Sequence, residues 1–146
     1  MPVMPDIKHL ISIDRPVADI FPLVSTGRGF AQWWAEDVFD DTGGRVTLGF
    51  FNRTTVYGLH QVEAIAPTRA VWECETGKEW QGTRIVFDLA QLVKTTSLAF
   101  THESWGNETD YFRSCNTTWG ELMYRLKAAA EGKTPGPLFG AKTLAY

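Results

Sequence analysis

The chain has 146 residues, a formal net charge of −3, 44% hydrophobic and 21% charged residues. That length suits one domain able to bury a core without staples, and the lack of a basic balance argues against a nucleic-acid surface. The two cysteines, Cys74 and Cys115, are far apart and form no CxxC pair, which speaks against a disulfide framework and a zinc ribbon.

Residues 1–6, MPVMPD, lead into no long apolar run. Neither a signal peptide nor membrane insertion is expected, and a cytoplasmic location follows from that. Ile7, His9, Ile11 and Ile13 share one parity, which predicts a strand over 7–13. Pro16 then suits a first helical turn, with Asp14 or its neighbour as the cap, and Val17, Ile20, Phe21 and Val24 follow at helical spacing. The stretch 25–29, with Gly27 and Gly29, is expected to break this helix before a second short one carrying Phe30, Trp33 and Trp34. Glu36, Asp37, Asp40 and Asp41 read as a solvated loop rather than a metal site, since no His or Cys stands beside them.

After Gly43 and Gly44 the period changes to two. Strands are expected over 45–51, 55–65, 69–75, 83–89 and 95–103, joined by short turns into an antiparallel meander. From residue 108 the period changes again. Phe112, Cys115, Trp119, Leu122, Leu126 and Ala129 form one stripe of a helix of about six turns. Asn107 or Thr109 can cap its start, Gly132 can end it, and Pro135 and Pro137 keep it from resuming. The expected fold class is α+β: a curved antiparallel sheet of about six or seven strands wrapped around a long C-terminal helix, with two short helices after the first strand. Residues 1–132 form the domain, and 133–146 a surface tail anchored by Leu138 and Phe139.

The ordered set of short motifs resembles the START-like, or helix-grip, superfamily. Within it the likeness is to homologues of the heat-shock-chaperone ATPase activator, grouped with polyketide-cyclase-like proteins. The residues that carry it are Pro16-Val-Ala-Asp-Ile-Phe21, Gly29-Phe-Ala-Gln-Trp-Trp34, Gly58 through Val62, Ala64-Ile-Ala-Pro67 and Ala70-Val-Trp72. The strand Thr96-Ser-Leu98-Ala-Phe100-Thr-His102, Trp105-Gly106, and the helix from Trp119 to Lys127 complete it. The resemblance implies a hydrophobic cavity between sheet and long helix. Its members include lipid carriers, hormone receptors, ring cyclases and chaperone partners, so fold alone does not select an activity.

Aromatic residues reach 13%, with six Trp and nine Phe, enough to line a cavity as well as fill a core. The candidate ligand-binding residues are Trp33, Trp34, Tyr57, Trp72, Phe87 and Phe100, together with His102, Trp105, Phe112, Cys115 and Trp119. His102, Thr96, Tyr57 and the indole N–H groups are the polar members. His102 shares a strand face with Thr96, Leu98 and Phe100. It is the one catalytic candidate, as an acid or base, against the plainer reading of a hydrogen-bonded core histidine. A buried cysteine behaves as a small hydrophobe, the expectation for Cys74 and Cys115. No phosphate-binding glycine loop, HExxH or GxSxG appears, and no cofactor or metal is expected. The expected function is binding of a small hydrophobic or amphipathic ligand, lipid or polyketide-like. A cyclase or hydratase using His102 and a chaperone-regulating module are the alternatives, and homodimer formation is left open.

Overall fold

Along Thr96–Glu103 every second residue is buried, Thr96, Leu98, Phe100 and His102 pointing inward, as the period of a half-covered strand requires. The same logic builds a single sheet. A computed structural model describes residues 4–41 and 43–139. Its elements are β1 (Ile7–Ile13), α1 (Val17–Val24), α2 (Gly27–Phe30), β2 (Asp37–Asp40), β3 (Arg45–Phe50), β4 (Thr55–Ile65), β5 (Arg69–Thr76), β6 (Arg84–Gln91), β7 (Thr96–Glu103) and α3 (Asp110–Ala130). The seven strands lie in the order β1-β7-β6-β5-β4-β3-β2, every pair antiparallel. Strands β2 to β7 are a meander, and β1 returns to pair with β7.

The outward face carries cross-strand ion pairs, with Arg69 between Glu63 and Asp88, and Arg84 beside Glu73. The inward face meets α3, which packs mainly on β1 and α1. Register shifts at Gly58/Leu59 and Gln61/Glu63 bend β4, because a bulge adds a residue to one strand only. The helix leans to one side and the sheet curls up on the other. The space between them opens over β3 and β4.

Several local expectations need correction. Pro16, not Asp14, holds the N-cap position of α1, and no side chain of the cap bonds there. The free Val17 N–H is taken by the Gln91 side chain from the sheet at 2.9 Å. The break expected over 25–29 falls at Ser25 and Thr26, while Gly27 and Gly29 form α2, capped by Thr26, whose hydroxyl accepts from Gly29 N–H at 2.9 Å. Gly29 is needed by closeness: a Cβ there would lie 2.2 Å from the Pro22 carbonyl oxygen. The acidic group is a loop only at Glu36 and Asp41, since Asp37–Asp40 between them pairs with β3 as a short charged edge strand. Trp33 and Trp34 follow α2 in a turn rather than lying within a helix.

The last four carbonyls of a helix have no partner within it. In α1 each is met by a side chain. Ser25 and Thr26 hydroxyls donate to Phe21 and Pro22, and the Trp33 and Trp72 indoles donate to Leu23 and Val24. The long helix is closed at both ends. Thr109 caps it by accepting from Phe112 N–H. At the other end Gly132, with φ +88°, lets its own N–H and that of Lys133 turn back to Ala129 and Ala128. The chain then folds back along α3, where the Arg125 guanidinium donates to the carbonyls of Pro135, Gly136 and Pro137. Leu138 is buried. Residues 140–146 of the expected tail lie outside the described residues. Among the described residues no helix is long and apolar enough to cross a membrane.

Candidate functional site

The space over β3 and β4 is a cavity of about 250 Å³. Its floor is Tyr57 of β4 with Phe50, Phe51 and Thr55 around the β3–β4 turn. One wall is α3, through Tyr111, Ser114, Cys115, Thr118, Trp119 and Leu122. Those positions are three or four apart along each row, so they form one band on the helix. Trp34 closes the inner end. Trp80, from the β5–β6 loop, and Phe139, from the folded-back segment, complete the rim.

The loop holding Trp80 is firmly placed. Its ring stacks on Tyr57, with centroids 3.7 Å apart and planes 18° from parallel. Gly77, at φ +133°, has no room for a Cβ, which would meet the Tyr57 ring at 2.5 Å. The same loop is tied to the start of α3 twice. Thr109 donates to the Glu79 carboxylate while it caps the helix, and the Lys78 ammonium sits 4.8 Å over the Tyr111 ring.

The polar groups of the cavity are few and uncharged. The Tyr57 and Tyr111 hydroxyls bond to each other, and burial pushes both phenols above their ordinary range. Burial likewise pushes the Cys115 thiol up to about 11. Trp80 Nε1 is buried without a hydrogen-bond partner, although the Cys115 sulfur is near enough to feel its N–H. No Asp, Glu, Lys, Arg or His lines the cavity among the described residues.

His102 lies behind this wall, fully buried. Its Nδ1 is 3.1 Å from Trp119 Nε1, and its Nε2 is 2.8 Å from Thr83 Oγ1. An indole nitrogen only donates, so Nδ1 must accept and the ring proton sits on Nε2. Thr83 in turn donates to the Trp80 carbonyl at 2.6 Å. The result is a one-directional chain, Trp119 to His102 to Thr83 to Trp80, which fixes two of the three tryptophans of the cavity wall. Burial lowers the His102 pKa to about 3, so the ring stays neutral. With both nitrogens engaged and no access to the cavity, it is a positioning residue.

Of the residues singled out from sequence, Trp34, Tyr57, Cys115 and Trp119 line the cavity. Trp33, Trp72, Phe87 and Phe100 pack with Phe30 and Trp119 in the core beneath it. Trp105 packs edge-on against Phe112 at 5.2 Å, at the His102 side and away from the cavity. Thr96 donates to the Arg15 carbonyl instead of facing the cavity. Cys74 is buried, its thiol pushed up to about 12 by burial. Trp80, Tyr111, Ser114 and Thr118 were not among the expectations. Trp80 sits in a turn with no period, and the others flank the apolar stripe of α3, where small hydroxyls read as solvated. Among the described residues no group of three His, Cys, Asp or Glu side chains could hold a metal ion.

No family model matches the sequence, and no curated protein matches it. Solved structures do. The Aha1 dimer of Colwellia psychrerythraea, a solution structure, is similar with 27% identity and a TM-score of 0.77, over 88% of this chain and 98% of that one. CalU16 of Micromonospora echinospora matches with 15% identity and a TM-score of 0.74, over 98% and 77%. DynU16, from the dynemicin biosynthetic locus, matches with 16% identity and a TM-score of 0.72 over 90% of this chain, which spans only 49% of that protein.

Proposed function

From the premise that this chain has the START-like helix-grip fold of those structures, we propose that it binds a small, neutral, largely aromatic or apolar molecule between α3 and the β3–β4 side of the sheet. The observation that carries this reading is the cavity wall: aromatic rings from both the sheet side and α3, hydroxyls, a thiol and indole N–H groups as its polar groups, and no charged side chain among the described residues that line it. A charged ligand group would lose its hydration there without a counter-ion to offset the loss. The volume of about 250 Å³ falls just under the roughly 300 Å³ at which drug-sized pockets begin, so the fit is to a compact ligand or part of a longer one. The occurrence of the similar DynU16 in a biosynthetic locus agrees with a small-molecule role. No catalytic step is assigned, because His102 does not reach the cavity.

Protein-observed NMR with a panel of neutral two-ring aromatics tests the reading. Shifts clustered on Tyr57, Trp80, Tyr111 and Thr118 are expected. No binding by any member at millimolar concentration, together with no ligand retained in native mass spectrometry, would refute it. The similar Aha1 is a dimer, and we extend a dimer to this chain as well. Light scattering at twice the 16.4 kDa chain mass supports that extension, and the monomer mass at all concentrations removes it.

A further inference from the structure

Among the buried side-chain nitrogens and oxygens of the residues that line the cavity, one is left over. The Tyr57 and Tyr111 hydroxyls share one hydrogen bond, and His102 and Thr83 are closed into their own chain. Trp80 Nε1 is different. The residue is 3% exposed, it lines the cavity, and its N–H finds no oxygen or nitrogen acceptor, only the Cys115 sulfur beside it. A buried donor without a partner loses its hydration with nothing in return, so native structures rarely keep one without a use. The neighbouring Cys115 sulfur is a weak acceptor at best. Trp105 Nε1 and His9 Nε2 are also buried and unpaired, but neither residue faces the cavity.

Resting on the binding reading above, we propose that the Trp80 indole N–H is the specificity-determining anchor of the cavity, and that the ligand class is a neutral aromatic ketone or quinone whose oxygen accepts from it. The geometry restricts the ligand in two further ways. Trp80 is stacked on Tyr57 and nearly parallel to Trp119, with centroids 6.0 Å apart and planes 19° from parallel. An indole N–H lies in the plane of its ring, so it points to the side of this stack and not across it. A flat ligand satisfies it with an oxygen on the ligand's own rim. A carboxylate would also accept, but it would bring an uncompensated charge into a wall that has no cation among the described residues.

The rigid setting of Trp80 makes the donor selective. Its backbone N–H is held by the Gly77 carbonyl and its own carbonyl by Thr83. The loop is latched to α3 through Glu79 and Thr109. The indole cannot swing to another acceptor without breaking these, so a ligand lacking an acceptor leaves the donor unpaired. A ligand with one gains the bond at little ordering cost.

The test uses a matched pair, 2-acetylnaphthalene and 2-ethylnaphthalene, which differ in the oxygen and little in shape. The unaltered protein should bind the ketone about 10-fold more tightly, the value of one well-placed hydrogen bond. The Trp80 Nε1–H proton resonance should move downfield with the ketone and stay in place with the hydrocarbon. Trp80→Phe keeps a ring on Tyr57 and removes the donor. Its ratio of ketone to hydrocarbon affinity should fall from about 10 to about 1, whatever the change in either affinity. Equal affinity for both probes in the unaltered protein overturns the anchor while leaving the binding reading intact. So does an unmoved indole resonance, a measurement that does not depend on how the variant folds. Binding of neither probe overturns the anchor, and the aromatic panel with native mass spectrometry then decides the binding reading.

Discussion

His102 is the residue whose chemistry is most constrained by its neighbours. Its neutral form accepts from Trp119 and donates to Thr83, and a second ring proton would face the Trp119 N–H with no acceptor. Its pKa is lowered to about 3 by burial, below the ordinary 6.5. The unfolded chain therefore binds a proton between these values that the folded chain does not. Stability from this group is fully present above pH 6.5 and is lost as the pH falls toward 3. The loss approaches about 1.4 kcal/mol per pH unit within that window. His102→Gln should flatten the pH dependence of the unfolding midpoint between pH 6 and about 4, which denaturant titrations at several pH values would read. A midpoint slope unchanged by the substitution would remove His102 as its cause. The thiols make a second prediction at this scale. Burial raises Cys74 to about 12 and Cys115 to about 11, so little thiolate exists at pH 8. Iodoacetamide should label neither in the folded protein and both in denaturant, as intact mass would show. Rapid labelling of Cys115 in the fold would mean a more open cavity than the wall described above.

Among the elements, α3 and the β5–β6 loop act as one unit through Thr109. Its hydroxyl caps the helix and also holds Glu79, so Thr109→Ala removes two contacts at once. A lost N-cap costs about 1 kcal/mol. The variant should unfold at lower denaturant by about that amount, and amide exchange should speed up first around Trp80. Equal protection of that loop in both proteins would show that the latch contributes nothing to its placement. The α1–α2 corner is less forgiving. The Cβ of Gly29→Ala would run into backbone atoms of Pro22 and Leu23, which cannot rotate away. Overpacking of this kind costs about 3 kcal/mol, and here it also displaces the carbonyls that Trp33 and Trp72 hold. A melting temperature within a degree of the parent would show that the corner relaxes freely.

For the whole molecule, the cavity exists because α3 packs on β1 and α1 while the bulged β4 curls away from it. Filling it should block binding without harming the fold. Thr118→Phe adds a ring to a position that already faces the space, so stability should hold or rise slightly while affinity for two-ring aromatics falls at least 10-fold. Unchanged affinity in titrations of this variant would move the binding site elsewhere. Much of this architecture is legible in the sequence. The stripe Phe112, Cys115, Trp119, Leu122, Leu126 is a helix in any environment that buries one face, and the strand parities around Phe87 and Phe100 mark an inward face. Both are local periods, set by backbone geometry, and they suffice for the α+β order and for the long helix over the sheet. The four-residue edge strand Asp37–Asp40 escaped because its charges suit an edge as well as a loop. A cavity between sheet and helix was implied by the resemblance, but its place and its lining could not be read. It depends on which side of the sheet the helix leans to, and on loops and a folded-back segment that bring Trp80 and Phe139 beside Tyr57 across 23 and 82 positions of chain. Sequence alone determined that aromatic rings would face a long helix across a curved sheet. Only the tertiary structure decided which rings fill the core and which border open space, because packing, unlike periodicity, is settled between residues distant in the chain.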